Sequence, residues 1–351
     1  MLPLRQPPAR ICILRLSALG DATHVLPVIH AIKTHWPQTR ITWIIGKLEH
    51  RLLSRLDGIE FIVFDKRGGW PAVQDIRQQL KGREFDVLLH MQVAFRANVL
   101  SRLVRSRIRL GWNRERSRDR HQWFINHSVS DVPFQHQVPG FLEFARALGI
   151  PEAKLVWQLP VVDEDRAWAA QMLPLDRPIL MISPCSSHEL RNWSAGNYAR
   201  VADHAAGPLG MNVVLTGGPS ELEARTAAAI QASMSHPVTN LVGKDTLTQS
   251  MALLEKAAVL VSPDSGPAHV ASALGTPVIG LHAATWSLRS GPYNSLDHCV
   301  DRFPEAARKF RGKEPEELRW GTRIEVPGVM DLVGVEDVIE KLESLQTGLN
   351  G

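Results

Sequence analysis

The chain is expected to fold as an α/β protein of two doubly wound halves, and three observations lead there. Short apolar runs alternate with amphipathic stretches, the plan repeats after a change-over near 152–162, and polar turns rich in glycine, serine and acids follow the strands. In the first half, 11–16, 41–45, 60–64, 86–91 and 108–111 read as strands, with helices at 22–35, 48–56, 71–81 and 94–104. The strand runs are continuously apolar rather than alternating, which means a parallel sheet covered on both faces. A helix over 139–148 leads to the change-over. The second half places strands at 179–183, 213–216, 238–241, 259–262 and 278–281, and helices at 195–206, 220–234, 247–256 and 267–274. A last helix, 335–345, has apolar residues at 335, 338, 339, 342 and 345, a stripe that must pack on something.

At 351 residues two domains are expected, since single cores stop growing near ~250–300 residues. The expected division is 1–155, 156–330, and a C-terminal helix within 331–351 packing back across the junction. Ligands of such sheets gather beyond the carboxyl ends of the strands. The hydrophobic fraction of 44% and charged fraction of 22% are those of a globular protein in water. No run approaches the ~18 apolar residues of a membrane span, and the first ten residues hold no apolar signal core. Cys12, Cys185 and Cys299 are odd in number and far apart, which argues against a disulfide framework or a CxxC metal site. A cytoplasmic location is expected.

The net charge of +4 is modest but uneven. Between Arg102 and Arg120 stand eight arginines (102, 105, 107, 109, 114, 116, 118, 120) against Glu115 and Asp119. Such a cluster attracts phosphate on a nucleic acid, a lipid surface or a small substrate, and arginine favours bidentate contacts. A solvated loop is the plainer alternative. Residues 113–122 have no helical period and are expected to form a mobile loop that orders on a ligand.

Four turns carry candidate chemistry. The strand 259–262 runs through Pro263 into Asp264-Ser265-Gly266-Pro267-Ala268-His269, a polar turn and a helix with proline in its first turn. Ser265 and Gly266 offer backbone N–H groups at the positive end of a helix dipole, a seat for phosphate. Asp264 and His269 flank it, Asp264 suited to a ribose or simply to capping the helix. Arg15-Leu16-Ser17-Ala18-Leu19-Gly20-Asp21 follows the first strand; on the residues alone Asp21 is better read as an N-cap than as a general base. Pro184-Cys185-Ser186-Ser187-His188-Glu189-Leu190-Arg191-Asn192-Trp193 supplies hydroxyls for phosphate oxygens and a guanidinium for a departing diphosphate. Trp193 is expected to pack beneath this loop, and Cys185 to be a buried residue rather than a nucleophile. Gly217-Gly218 permits close backbone approach, with Glu221 and Glu223 available to ribose or to the first helical turn. No GxGxxG or Walker A pattern follows any strand, which weakens a dehydrogenase or NTPase reading. Asp163-Glu164-Asp165 has a DxD form but reads as a capping pattern, and His24, His30, His90 and His136 lack zinc-ligand spacing.

Taken together, LRLSALGDATHVLPVIHAI, FDVLLHMQVAFRANVLSRLV with RLGW, and VSPDSGPAHVASALGTPVIGL resemble the ADP-heptose:lipopolysaccharide heptosyltransferases of glycosyltransferase family 9, in the family's order and over about 11–345. The resemblance implies a GT-B fold: two Rossmann-like domains whose parallel sheets face across a cleft, acceptor bound by the first and nucleotide sugar by the second. It also implies an inverting transfer without metal or other cofactor, and it turns the reading of Asp21 from cap to catalytic base. By the same carry-over Ser186, Ser187, Arg191, Gly217, Gly218, Glu221, Asp264, Ser265, Gly266 and His269 form the donor site for ADP-heptose. Lys66, Arg67, Gln92, Arg96, Arg114, Arg118 and Arg120 are expected to meet a lipid A–Kdo acceptor. Peripheral contact with the inner face of the inner membrane follows from that substrate. Two departures stand out: Ser186, Ser187 and Arg191 replace the threonines and lysine frequent in the family's donor loop, and His90 stands where many members have an acid. The donor loop resembles members that add the first heptose to Kdo. Rival readings are a GT-B enzyme with another nucleotide sugar, a sugar-nucleotide epimerase, a non-catalytic two-domain sugar-binding protein and, from the arginines alone, a nucleic-acid binder without a recognisable module.

Overall fold

The computed structural model describes residues 2–151 and 154–349; the expected change-over at 152–162 therefore begins on two residues outside the described set. The chain divides into two compact units, Met1–Pro160 and Val161–Gly351. The first contains β1 (Arg10–Leu14), α1 (Leu19–His35), β2 (Arg40–Gly46), α2 (Lys47–Leu53), β3 (Ile59–Phe64), α3 (Gly69–Gln79), β4 (Glu84–His90), α4 (Phe95–Ser101), β5 (Arg105–Gly111), β6 (His127–Ser128) and α5 (Gln137–Leu148). The second contains α6 (Asp163–Met172), β7 (Ile179–Ile182), α7 (Ala195–Ala206), β8 (Asn212–Leu215), α8 (Glu221–Ser233), β9 (Thr239–Asn240), α9 (Leu247–Lys256), β10 (Val259–Pro263), α10 (Gly266–Leu274), β11 (Val278–His282), α11 (Ser287–Ser290), β12 (Val300–Asp301), α12 (Phe303–Arg311) and α13 (Val335–Leu349).

Both sheets have six parallel strands, ordered β3-β2-β1-β4-β5-β6 and β12-β11-β10-β7-β8-β9. Counted within its own unit, each follows the same doubly wound order. The order reverses between β1 and β4 in one sheet and between β7 and β10 in the other, and beyond those carboxyl ends a ligand finds room. In the first sheet Leu14 lies beside His90, and in the second Val261 lies beside Ile182.

The strand interiors are buried because helices cover both faces. Cys12, Leu14, Ile44 and Leu88 pack with Ile76 and Leu80 of the α3 segment, and Leu180, Val213 and Val261 pack with Tyr198, Val201 and Ile230 of α7 and α8. Val338 and Leu342 place α13 in this second core, on β11, β12 and α7.

Local chemistry sets the ends. The first strand stops at Leu14, two residues short of expectation, because the Leu16 amide leaves the ladder and donates to Gln92 Oε1 at 2.6 Å. The edge strands β6 and β12 carry only two residues each, too few for any apolar run to announce them. The acids of 163–165 fill the first turn of α6, where they suit the helix dipole, and Arg166 there pairs with both Asp163 and Glu255. His136 caps α5 by accepting from Val138 N–H at 3.1 Å. Among the described residues no helix is long and apolar enough to cross a membrane.

Candidate active site

In the first unit the site grows from the carboxyl ends of β1 and β4. Asp21 is at the third position of α1 and Ala18 is its N-cap residue, which corrects the N-cap reading. The carboxylate reaches back to the Ala18 N–H at 3.3 Å, pairs with the Arg15 guanidinium and faces His24 Nδ1 at 4.0 Å. Arg15 is fixed in turn: Nη1 donates to Met91 O at 2.6 Å, its carbonyl accepts from Trp43 Nε1 at 3.0 Å, and its guanidinium lies over the Phe141 ring. Its Nε is buried without a hydrogen-bond partner. Gln92 bridges the strand ends, accepting from Leu16 N–H and donating to Ser17 Oγ at 3.1 Å. The carboxylate is held in place by main chain and guanidinium while staying accessible, which is what a positioned proton acceptor requires. Arg15 carried no expectation, because its partner six residues on lies across a turn.

Beyond β4 sits a buried network that only the tertiary structure reveals. Asn98 Oδ1 is 2.9 Å from His90 Nε2 and 2.8 Å from His121 Nδ1, and Trp112 N–H donates to His121 Nε2 at 3.2 Å. With Nε2 accepting, the neutral His121 ring carries its proton on Nδ1. The Asn98 amide donates to Asp119 O at 2.9 Å, so the network ties α4 to the arginine-bearing loop. Burial pushes His90 well below the ordinary histidine range, reinforced by the neighbouring His121, and pushes His121 down to about 4. The unfolded chain therefore binds protons that the native pair refuses, and stability falls as pH drops from the ordinary histidine range toward 4. Urea titrations at pH 7, 6 and 5 are expected to show this loss, of which His121 alone accounts for roughly 2 kcal/mol. His121→Gln should flatten it; an equally steep slope in that variant would assign the dependence to other groups.

The arginines divide by role. Arg109 donates to Phe124 O, Val104 O, Ser101 O and Ser101 Oγ, and Arg116 to Val132 O and Gln135 Oε1, so both are structural. Arg114, Arg118 and Arg120 are exposed, as are Lys66, Arg67 and Arg96. Lys66 Nζ stands 3.5 Å from Glu49, and Arg96 donates to Lys66 O at 3.2 Å, which brings those two together. The 113–122 segment is tied more closely than a free loop: Asn113 donates to Asp131, Gln122 to Trp112 O, and a 3-10 turn begins at His121.

In the second unit the seat forms at the carboxyl ends of β7 and β10. Ser265, not Asp264, caps α10: its hydroxyl accepts from Ala268 N–H at 3.4 Å and lies 2.7 Å from Ser262 Oγ. Gly266 and Pro267 form the first turn behind it. Asp264 is thereby left for other partners, His269 Nε2 at 3.5 Å and Arg191 Nη1 at 3.8 Å. Burial pushes the Asp264 carboxyl up, but the His269 hydrogen bond and the charges of His282, His269 and Arg191 outweigh it and hold the group well below the usual carboxylate range. Arg191 is anchored by Glu325, with Nε at 2.8 Å and Nη2 at 2.5 Å from the same oxygen, and His188 Nε2 is 3.6 Å from Glu325. Nothing near residue 191 in the sequence points to Glu325.

Ser186 folds its own loop, accepting from His188 N–H and donating to His188 O, while its amide donates to Asn192 Oδ1 at 2.7 Å; Ser187 is exposed. Trp193 is buried and donates to Val333 O at 3.0 Å, and burial pushes the Cys185 thiol up, as expected for a packing residue. At Gly217-Gly218 the acid that binds the turn is Glu223, accepting from Gly218 N–H at 2.7 Å and from the Ser220 hydroxyl at 2.5 Å. Glu221 is exposed in the first turn of α8.

Comparison with known proteins identifies the family. The model of glycosyltransferase family 9 (heptosyltransferase) matches residues 73–319. The lipopolysaccharide core heptosyltransferase OpsX of Haemophilus influenzae is 40% identical over 338 residues, covering 96% of this chain and 97% of that protein. The crystal structure of a family 9 glycosyl transferase from Veillonella parvula superposes with a TM-score of 0.79 at 21% identity, covering 97% of each chain. The Escherichia coli ADP-heptose LPS heptosyltransferase II superposes with a TM-score of 0.74 at 19% identity, over 97% of this chain and 100% of that one.

Proposed function

The chain belongs to glycosyltransferase family 9 and has the GT-B fold, and on that premise we propose that it transfers heptose from ADP-heptose to the Kdo/lipid A inner core of lipopolysaccharide. The name of the 40%-identical Haemophilus relative supports the lipopolysaccharide core as destination, and that of the E. coli structure supports an ADP-activated heptose. The observation that carries the chemistry is the Asp21 carboxylate, held by the Ala18 N–H and Arg15 beyond the end of β1.

In this reading an acceptor hydroxyl attacks the anomeric carbon, Asp21 takes its proton, the new C–O bond forms with inversion, and the bond to ADP breaks. The second unit holds the donor: Asp264 and Glu221 meet the ribose, while Ser186, Ser187, Ser265, Gly266, His269 and the α10 N-terminus meet the diphosphate. Gly217 and Gly218 give the nucleotide close access to main chain, and Arg191, oriented by Glu325, faces the charge that builds on the leaving group. No metal or other cofactor takes part in these steps. Lys66, Arg67, Gln92, Arg96, Arg114, Arg118 and Arg120 bind the acidic acceptor, and the enzyme works at the cytoplasmic face of the inner membrane. Incubation with ADP-heptose and Kdo–lipid A acceptors, followed by mass spectrometry, should show one added heptose. An unmodified acceptor, or turnover only with another nucleotide sugar, would overturn the assignment.

Replacing Arg114, Arg118 and Arg120 together by serine should raise the acceptor KM roughly tenfold, since exposed charge contacts are worth ~0.2–1 kcal/mol each. The ADP-heptose KM should stay put. The effect should shrink as salt rises, because exposed charges are screened beyond ~8–10 Å. An acceptor KM equal to that of the parent enzyme at low salt would make these arginines ordinary surface.

A further inference from the structure

Helix α4 wears apolar side chains on its outside. Phe95 and Val99, four residues apart on one face, are 60% and 46% exposed, whereas Ala97, Asn98, Leu100 and Ser101 are buried. Arg102 extends the outer stripe by another turn. Two exposed tryptophans stand on segments hydrogen-bonded to this helix and its cap. Arg102 donates to Trp123 O at 2.9 Å, and the Trp123 ring, 65% exposed, lies under the Arg120 guanidinium at 4.7 Å. On the other side Arg96 bonds to Lys66 O, and one turn beyond Lys66 stands Trp70, 68% exposed at the start of α3. Large rings that stay in water, gathered around one helix, mark a contact surface.

We propose that this face docks the enzyme on an anionic lipid bilayer, with Trp70, Phe95 and Trp123 entering the headgroup layer and the surrounding cations meeting lipid phosphates. The proposal rests on the reading that the acceptor is lipid-anchored, and it assigns the membrane contact to particular side chains. Charge selects the occupant. Arginine and lysine interleave with the rings, whereas the nearby Asp119 carboxylate accepts from the Phe95 N–H. A second copy of the chain would set like charges against each other, but an anionic surface attracts each such cation. Tryptophan suits the interface because its body is apolar and its N–H stays wet.

The test is co-sedimentation of full-length protein with phosphatidylcholine vesicles, with and without phosphatidylglycerol, for the parent chain and for Trp70→Ser/Phe95→Ser/Trp123→Ser. The parent should bind the anionic vesicles selectively. The triple variant should lose at least ~10-fold in partitioning, since partial burial of three large rings is worth more than ~1.4 kcal/mol. Its kcat/KM on an acyl-free soluble acceptor should be unchanged. Trp70→Ser alone, at a site that contributes only exposed surface, should give a smaller loss in the same direction and guards against misfolding of the triple variant. Parent-level binding by both variants, equal binding to neutral vesicles, or a parent dimer that the substitutions dissociate would overturn the proposal. If the variants lose vesicle binding while no chain, parent included, transfers to the soluble acceptor, docking stands and the transferase reading falls.

Discussion

Asp21→Asn should abolish most heptose transfer while leaving ADP binding intact. Loss of a general base costs about 10²–10⁴-fold in turnover. The amide oxygen can still accept from the Ala18 N–H that the carboxylate now holds at 3.3 Å, so the start of α1 is preserved. What disappears is the proton acceptor and its ion pair with Arg15. The pH–rate profile should lose its acidic limb together with its height, a signature that weakened packing around Arg15 would not produce. Steady-state kinetics across pH, with calorimetry on ADP as the control, checks this. Near-parent kcat in the variant would reduce Asp21 to a helix-start residue and remove the mechanism.

Asp264→Asn should have the second-largest effect, on the other substrate. The carboxylate is faced by His269 at 3.5 Å and Arg191 at 3.8 Å, and it lies within the field of His282. Removing its charge leaves the nucleotide a weaker, neutral amide oxygen and takes one carboxylate away from the Arg191 guanidinium. Hydrogen bonds to charged groups are worth ~1.5–3 kcal/mol, so ADP affinity should fall about 10–100-fold by calorimetry. Thermal stability should fall as well, because removing one partner of a buried charge cluster leaves the others uncompensated. His269→Gln keeps the carboxylate and tests the seat separately; it should weaken ADP binding with a smaller loss of stability, because the Gln amide can still donate to Asp264. Unchanged ADP affinity in both variants would move the donor site elsewhere.

Much of the candidate site was legible because its parts are local. The α10 seat is readable from Ser265-Gly266-Pro267, since cap, glycine and proline act within one turn. Even so, Asp264 could be read from the sequence as a ribose ligand or as the cap, and geometry gives the cap to Ser265, whose Oγ accepts from Ala268 N–H and is itself braced by Ser262. The Asp21 turn was legible as a helix start, but its offset by three positions follows from the main-chain path through Ser17 and Ala18, which no periodicity encodes. Glu223 and Glu221 present the same chemistry two residues apart, and only the turn geometry hands the Gly218 amide to Glu223.

By itself the sequence determined the order and type of most long elements, α12 excepted, together with the repetition of the plan, the family and the turns on which polar chemistry falls. All of these rest on apolar periodicity, capping chemistry and contiguous motifs, interactions that span a few residues. The tertiary structure alone decided which strands meet, and so which turns share an end of a sheet. Arg191 and Glu325 are 134 residues apart, and Leu16 and Gln92 76 apart, yet each pair bonds directly. The His90–Asn98–His121 network and the outward apolar stripe of α4 belong to the same class. A buried polar or charged group must find a partner, but its own neighbourhood in the chain does not name that partner; the reversal of strand order beside β1 and β7 brings the partners within reach.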